Sequence, residues 1–264
     1  MMVLCSIYLC PLYLTHQSAT RPTRYGMIVF KGFQALGALT FGPLPLRPTV
    51  TYLSIYTTDV FGPLSALNVL SRTHKMELAI IAESTKPVST HPEPNPGFVS
   101  ASFGQEIVPT HTFQNAPEIE VLLVPGGFGT RNKDVMAPVE AYIRTVFPKV
   151  GYVITICTGS AILAGLGLLD HRRATTNKCT WDANAKLGPN VEWVRKARWV
   201  VDETAGVTPV WSSSGVSAGI DVTFAFVEKL YGGETAEHVA NVMEYDRHLD
   251  GKWDPFAGIW EAKV

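Results

Sequence analysis

No CxxC pair occurs in this sequence, and none of its four cysteines, at positions 5, 10, 157 and 179, has a histidine at metal-ligand spacing. Neither a zinc site nor a disulfide framework is indicated, and the reduced cytoplasm is the expected compartment. Clusters of one charge sign are missing too. Lys and Arg (22) nearly balance Asp and Glu (23), for a net charge of -1. The charges are scattered, which leaves no electrostatic footprint for a nucleic acid or an anionic membrane. A small neutral ligand is the expected partner. What the chain has in quantity is apolar residues, 46% of 264, enough for one large buried core.

Long uncharged runs are scarce, and neither candidate reads as a membrane span. The first, 3–14, is broken by Pro11 and too short to cross a bilayer. It lacks a basic n-region and a small-residue cleavage site, so 1–24 reads as a poorly ordered N-terminal extension rather than a secretory signal. The second, 150–169, is long enough. Its first part is β-branched, however, and its second small and helical, as expected of a buried strand turning into a buried helix.

Four short apolar runs read as strands of a sheet covered on both faces: YGMIVF (25–30), MELAIIA (76–82), VLLV (121–124) and YVITI (152–156). Helical patterns at 60–71 and 135–147 alternate with them, which predicts a parallel α/β sheet. Strands are expected at 199–203 and 210–213, and helices at 218–231 and 235–248. The Pro, Ser, Gly and Thr content of 86–109 predicts a surface excursion carrying one short strand. Residues 249–264 read as a tail.

The segment ITICTGS (154–160) puts Cys157 where a buried strand ends and a helix of small residues begins. Free N-H groups at a helix start stabilise a thiolate, so this position predicts a depressed thiol pKa and a nucleophile. A buried core cysteine is the plainer alternative. One strand earlier, EVLLVPGGFGT (120–130) carries a glycine-rich turn in which Gly126 and Gly127 present backbone N-H groups. In an α/β sheet both turns open on the crevice at the carboxyl ends of the strands. PGGFG fits neither the dinucleotide nor the P-loop spacing, so no nucleotide cofactor is implied.

Taken in order, PGGFGT (125–130), ICTGS with AGLGLLDHRRATTN behind it (156–177), SSSGVSAGID (212–221) and EYDRH (244–248) resemble successive motifs of the ThiJ/PfpI superfamily, and within it the isocyanide hydratase branch. The resemblance covers about 25–248. It implies a flavodoxin-like three-layer sandwich with a mostly parallel central sheet, a nucleophilic Cys157, a homodimer, and an acid beside the sulfur from the first strand-to-helix loop. DVFGPLSALNVL (59–70) resembles the motif that supplies this acid, which makes it Asp59; an N-cap for the following helix is the plainer role. Gly126, Gly127 and Asp221 are the expected substrate-binding residues. Thr158 is expected to hold the intermediate or the water, and no cofactor or metal is implied.

Three departures accompany the likeness. KGFQAL (31–36) would join Asp59 directly in the family pattern, so residues 37–58 look inserted and, if ordered, threaten the reach of Asp59 to Cys157. They are expected to lie outside the core, since such junctions take only a few residues. Thr158 stands where protease-like and glyoxalase-like relatives carry a His, so a Cys-His pair is unsupported. Asn177 also stands at a frequent His position, where it tunes the pocket. The rival readings are another cofactor-free thiol enzyme of the same fold, glyoxalase-like or amide-hydrolysing, and a redox-sensing or chaperone-like module.

Overall fold

The computed structural model describes residues 21–33, 58–91 and 104–261. The insertion at 37–58, apart from the backbone of Thr58, and the extension up to residue 20 lie outside the described residues.

The apolar runs become strands because their residues pair on both sides. β1 (Arg24–Ile28), β2 (Glu77–Ala82), β6 (Val121–Val124), β7 (Tyr152–Thr155) and β11 (Val210–Ser213) form the body of a seven-stranded sheet, closed by the short β5 (His111–Thr112) and by β10 (Trp199–Asp202). The strand order is β10-β11-β7-β6-β1-β2-β5, and only the β10–β11 pair is antiparallel. All four residues of β6 are buried, as are those of β11. That is why these strands read as unbroken apolar or small runs rather than alternating ones.

Helices cover the sheet. In α1 (Thr58–Leu70) the buried Val60, Leu64, Leu67 and Leu70 recur at helical spacing. In α2 (Lys133–Val146) Met136, Val139, Tyr142 and Ile143 do the same, and Asn132 caps the helix by accepting from the N-H groups of Asp134 and Val135. A short α3 (Gly159–Gly165) follows β7 and packs on α4 (Trp181–Leu187), while α5 (Ala218–Tyr231) packs on α1 and on α6 (Gly233–Val242). The architecture is the expected flavodoxin-like sandwich with a mostly parallel central sheet. The uncharged run 150–169 is β7, a turn and α3, and no helix among the described residues is long and apolar enough to cross a membrane.

Four expectations need correction. The excursion at 86–109 holds two short strands rather than one, β3 (Val88–Ser89) paired antiparallel with β4 (Glu106–Ile107). A further small pair, β8 (Arg173–Ala174) with β9 (Glu192–Trp193), escaped the sequence reading because two-residue strands carry no periodicity. The last predicted helix ends at Val242 instead of reaching residue 248: Glu244 turns to a φ of 51°, and the Tyr245 hydroxyl and His248 N-H bond back to Asp221. The expected tail, finally, is folded onto β10. The Gly251 carbonyl accepts from the N-H groups of Arg198 and Trp199, Asp254 is buried, and α7 (Phe256–Glu261) follows it.

Candidate active site

Because β1, β6 and β7 run parallel and in register, their carboxyl ends come level. Val124 pairs with Thr155, so the turn after β6 and the turn after β7 meet side by side. Glycine is what lets them touch. A Cβ on Gly126 would stand 2.5 Å from the N and Oγ1 of Thr158, and one on Gly159 would stand 2.2 Å from the carbonyl oxygen of Val124. The Gly127 N-H donates to Thr158 Oγ1 at 2.9 Å and ties the turns together.

Cys157 sits at the apex with φ 59°, a conformation that costs an L-residue on the order of 1 kcal/mol or more and persists only where its surroundings impose it. They do so here. Its N-H donates to the Ser214 carbonyl at 3.0 Å, and its own carbonyl accepts from Thr176 Oγ1 at 3.1 Å and Ser160 Oγ at 3.3 Å. The side chain is buried, 1% exposed.

Asp59, at the start of α1, reaches this sulfur. It is fully buried and faces Cys157, Gly126 N-H donates to its Oδ2 at 3.2 Å, and its Oδ1 has no hydrogen-bond partner among the described residues. Pro63, four residues on, lacks the amide that would otherwise donate to the Asp59 carbonyl within α1. Burial raises the Asp59 carboxyl to about 7, against the smaller opposing effects of Gly126 N-H and the thiol.

Burial and the facing Asp59 charge also push the Cys157 thiol well above its ordinary value, more strongly than the donors from Asn177 and the Thr158 backbone pull it down. The depressed pKa expected from the strand-to-helix turn is therefore reversed. A seven-residue α3 has a small dipole, and it acts on a sulfur that is dry and faces an acid. Between them the two groups hold a proton near neutrality.

Asn177 Nδ2 donates to Cys157 Sγ at 3.2 Å. The amide orientation follows from its other end, where Oδ1 accepts from the Thr180 N-H at 3.1 Å, so the donor must face the sulfur. Asn184 locks this arrangement by donating to both Thr176 Oγ1 and Thr180 Oγ1 at 3.0 Å. Thr180 and Asn184 were invisible in the sequence, where neither belongs to a motif.

Asp59, Gly126, Gly127, Thr158 and Asn177 thus surround Cys157. Asp221 is the exception. Its carboxylate accepts from Arg198 Nε at 2.8 Å, from Tyr245 Oη at 2.9 Å and from the His248 N-H at 3.0 Å, and pairs with Arg198 Nη2 at 2.6 Å. Both oxygens are committed to protein partners, which corrects its assignment to substrate binding: the expectation rested on a motif, and the partners come from the exit of α6 and from Arg198 just ahead of β10.

The DJ-1/PfpI family pattern matches residues 55–229 of this chain, more than half its length. The chain belongs to the DJ-1/PfpI family. Within it, the chain is 33% identical over 147 residues to the isonitrile hydratase of Pseudomonas putida, covering 56% of this chain and 61% of that one, so it spans about three fifths of that relative's length. Among solved structures it is similar to a ThiJ/PfpI family protein from Pseudomonas syringae (25% identity, TM-score 0.63, 92% of this chain and 84% of that one). An AraC family transcriptional regulator from Pseudomonas putida shares the fold at 15% identity (TM-score 0.60, 84% of this chain and all of that one). The DJ-1/PfpI fold therefore serves more than one kind of protein, and the site has to carry the functional argument.

Proposed function

We propose that this DJ-1/PfpI protein is an isocyanide hydratase-like enzyme that converts an isocyanide to an N-substituted formamide through Cys157. The observation that carries the reading is the buried Asp59, with one carboxyl oxygen unpartnered among the described residues and a proton affinity near neutral, facing the sulfur. Each half of the reaction moves protons on or off the reacting atoms, and a group that titrates near the working pH can both give and take them.

In the first half, Cys157 Sγ forms a bond to the terminal carbon of R-N≡C while that carbon gains the proton held by the pair, giving R-N=CH-S-Cys157. In the second half, Asp59 as base takes a proton from water as its oxygen adds to the carbon. Asp59 passes that proton to the nitrogen, giving R-NH-CH(OH)-S-Cys157; the C-S bond then breaks as the hydroxyl gives its proton by way of Asp59 to the departing sulfur, and R-NH-CHO leaves with the thiol restored. One water is consumed and no electrons are exchanged. The Asn177 amide stabilises the sulfur as it gains charge, and the N-H of Thr158 stands at the same turn to steady the adduct.

The 33% identity to the Pseudomonas putida isonitrile hydratase supports the substrate class. The nitrogen that meets Sγ belongs to an amide rather than an imidazole, which weighs against amide hydrolysis of the Cys-His kind. A redox sensor is favoured by an exposed thiolate, whereas this thiol is buried with a raised proton affinity. Incubation with an aryl isocyanide tests the reading: formamide should appear by mass spectrometry and be lost in Cys157→Ala. Absence of formamide from the folded parent chain overturns it.

A further inference from the structure

We propose that Lys178 and Asp254 form a positioning device for the nucleophile, their buried pairing holding the 175–178 turn in the shape that keeps the Asn177 amide on the Cys157 sulfur. The proposal takes Cys157 as the reactive thiol of the preceding section, and its test reads that thiol without using hydration.

The geometry is a tripod. An ammonium has three donors, and those of Lys178 go to Thr175 Oγ1 at 2.7 Å, the Ala197 carbonyl at 2.8 Å and the Thr176 carbonyl at 3.3 Å. One side chain therefore clamps both residues preceding Asn177 and ties them to the strand entry at Ala197. The charge needs an answer, because Lys178 is 3% exposed. It comes from Asp254, whose Oδ2 stands 3.8 Å from Nζ with no hydrogen bond of its own among the described residues, while its Oδ1 accepts from the Phe256 N-H ahead of α7.

The other groups facing Lys178 are Arg195 and Arg198, both repulsive, and the ring of Trp181 at 5.1 Å. Arg198 is itself paired with Asp221 and lies 3.8 Å from Asp254 Oδ1. The buried cations Lys178 and Arg198 are thus balanced by the buried Asp254 and Asp221, while the half-buried Arg195 pairs with Asp182, and the segment carrying Asp254 completes the set. Burial lowers the Lys178 ammonium to about 8, so its charge depends on keeping that acid nearby.

The test is a double-mutant cycle on the rate and pH profile of Cys157 alkylation by iodoacetamide, read by peptide mass mapping on chains shown to be folded by circular dichroism. Lys178→Met should slow alkylation about tenfold at fixed pH and move its inflection upward, the scale of losing a hydrogen bond to a charged group. Asp254→Asn should act in the same direction. In an Asn177→Ala background neither substitution should add anything further. A parent rate and profile in both single variants, or effects that add fully to Asn177→Ala, would overturn the proposal. Should Lys178→Met fail to fold, Asp254→Asn carries the same cycle with the same two outcomes. A non-additive cycle in chains that make no formamide would sink the hydratase reading and leave the positioning device standing.

Discussion

Asp59 and Asp221 are both buried aspartates of the same fold, 0% and 1% exposed, each in the first turn of a helix. Their surroundings are opposite. Asp221 is met by a guanidinium, a phenol and a backbone N-H, so its charge is neutralised and both oxygens are occupied. Among the described residues Asp59 receives a single backbone N-H, and its other neighbour is the Cys157 thiol rather than a cation. Burial with full partnership yields a structural strut, and burial with partial partnership yields a group whose proton is available.

The comparison breaks first at the sulfur. If Asp59 owes its role to Cys157, Cys157→Ala should reduce formamide production to background while leaving the melting transition close to the parent's. Retained turnover would make the Asp59 arrangement chemically idle. Next in size, Asp221→Ala should cost about 3–5 kcal/mol in urea unfolding, because the buried Arg198 loses its hydrogen-bonded anion and keeps only Asp254, 3.8 Å away and shared with Lys178. Turnover per folded molecule should stay within a few-fold of the parent. A collapse of turnover without loss of stability would instead place Asp221 in the chemistry.

Asp59→Asn should behave in the reverse way, losing about 100-fold in kcat/KM, the usual scale for a positioned acid/base. Relative to the parent, its stability should rise as pH climbs. The folded carboxyl is raised to about 7 from an unfolded value near 4, so the folded state binds the extra proton between those values. The parent is thus most favoured below about pH 4 by this group and loses that stability as pH climbs through 7. Denaturant midpoints at pH 5 and 8 should differ more in the parent than in Asp59→Asn. Equal pH dependence in the two chains would mean that Asp59 is already ionised at pH 5.

The smallest expected effect concerns the turn that feeds Asp59 its one N-H. Gly126→Ala puts a methyl 2.5 Å from Thr158 N and Oγ1, and relief of that overlap should cost about 1–3 kcal/mol with a parallel fall in activity. A variant with parent stability and rate would show that the two turns are looser than their contact distances imply.

From the sequence alone came the parallel α/β order, the strands 121–124 and 210–213, the helix 218–231 and the two turns that meet at the site, because apolar runs and glycine clusters are local signals. Cys157 was legible for the same reason: a strand, a cysteine and small residues lie consecutively. Asp59 was legible as a helix start and, through its motif, as an acid. Its contact with the sulfur joins the start of α1 to the turn after β7, which no local pattern specifies. What only the tertiary structure decided is protonation and partnership. The direction of the Cys157 shift depends on dryness and on a carboxyl 98 residues away in sequence, the commitment of Asp221 depends on Arg198 and Tyr245, and the burial of Asp254 depends on a segment that reads as a tail. Desolvation and pairing are set by whatever closes over a group, and that is a property of the packed chain rather than of any stretch of it.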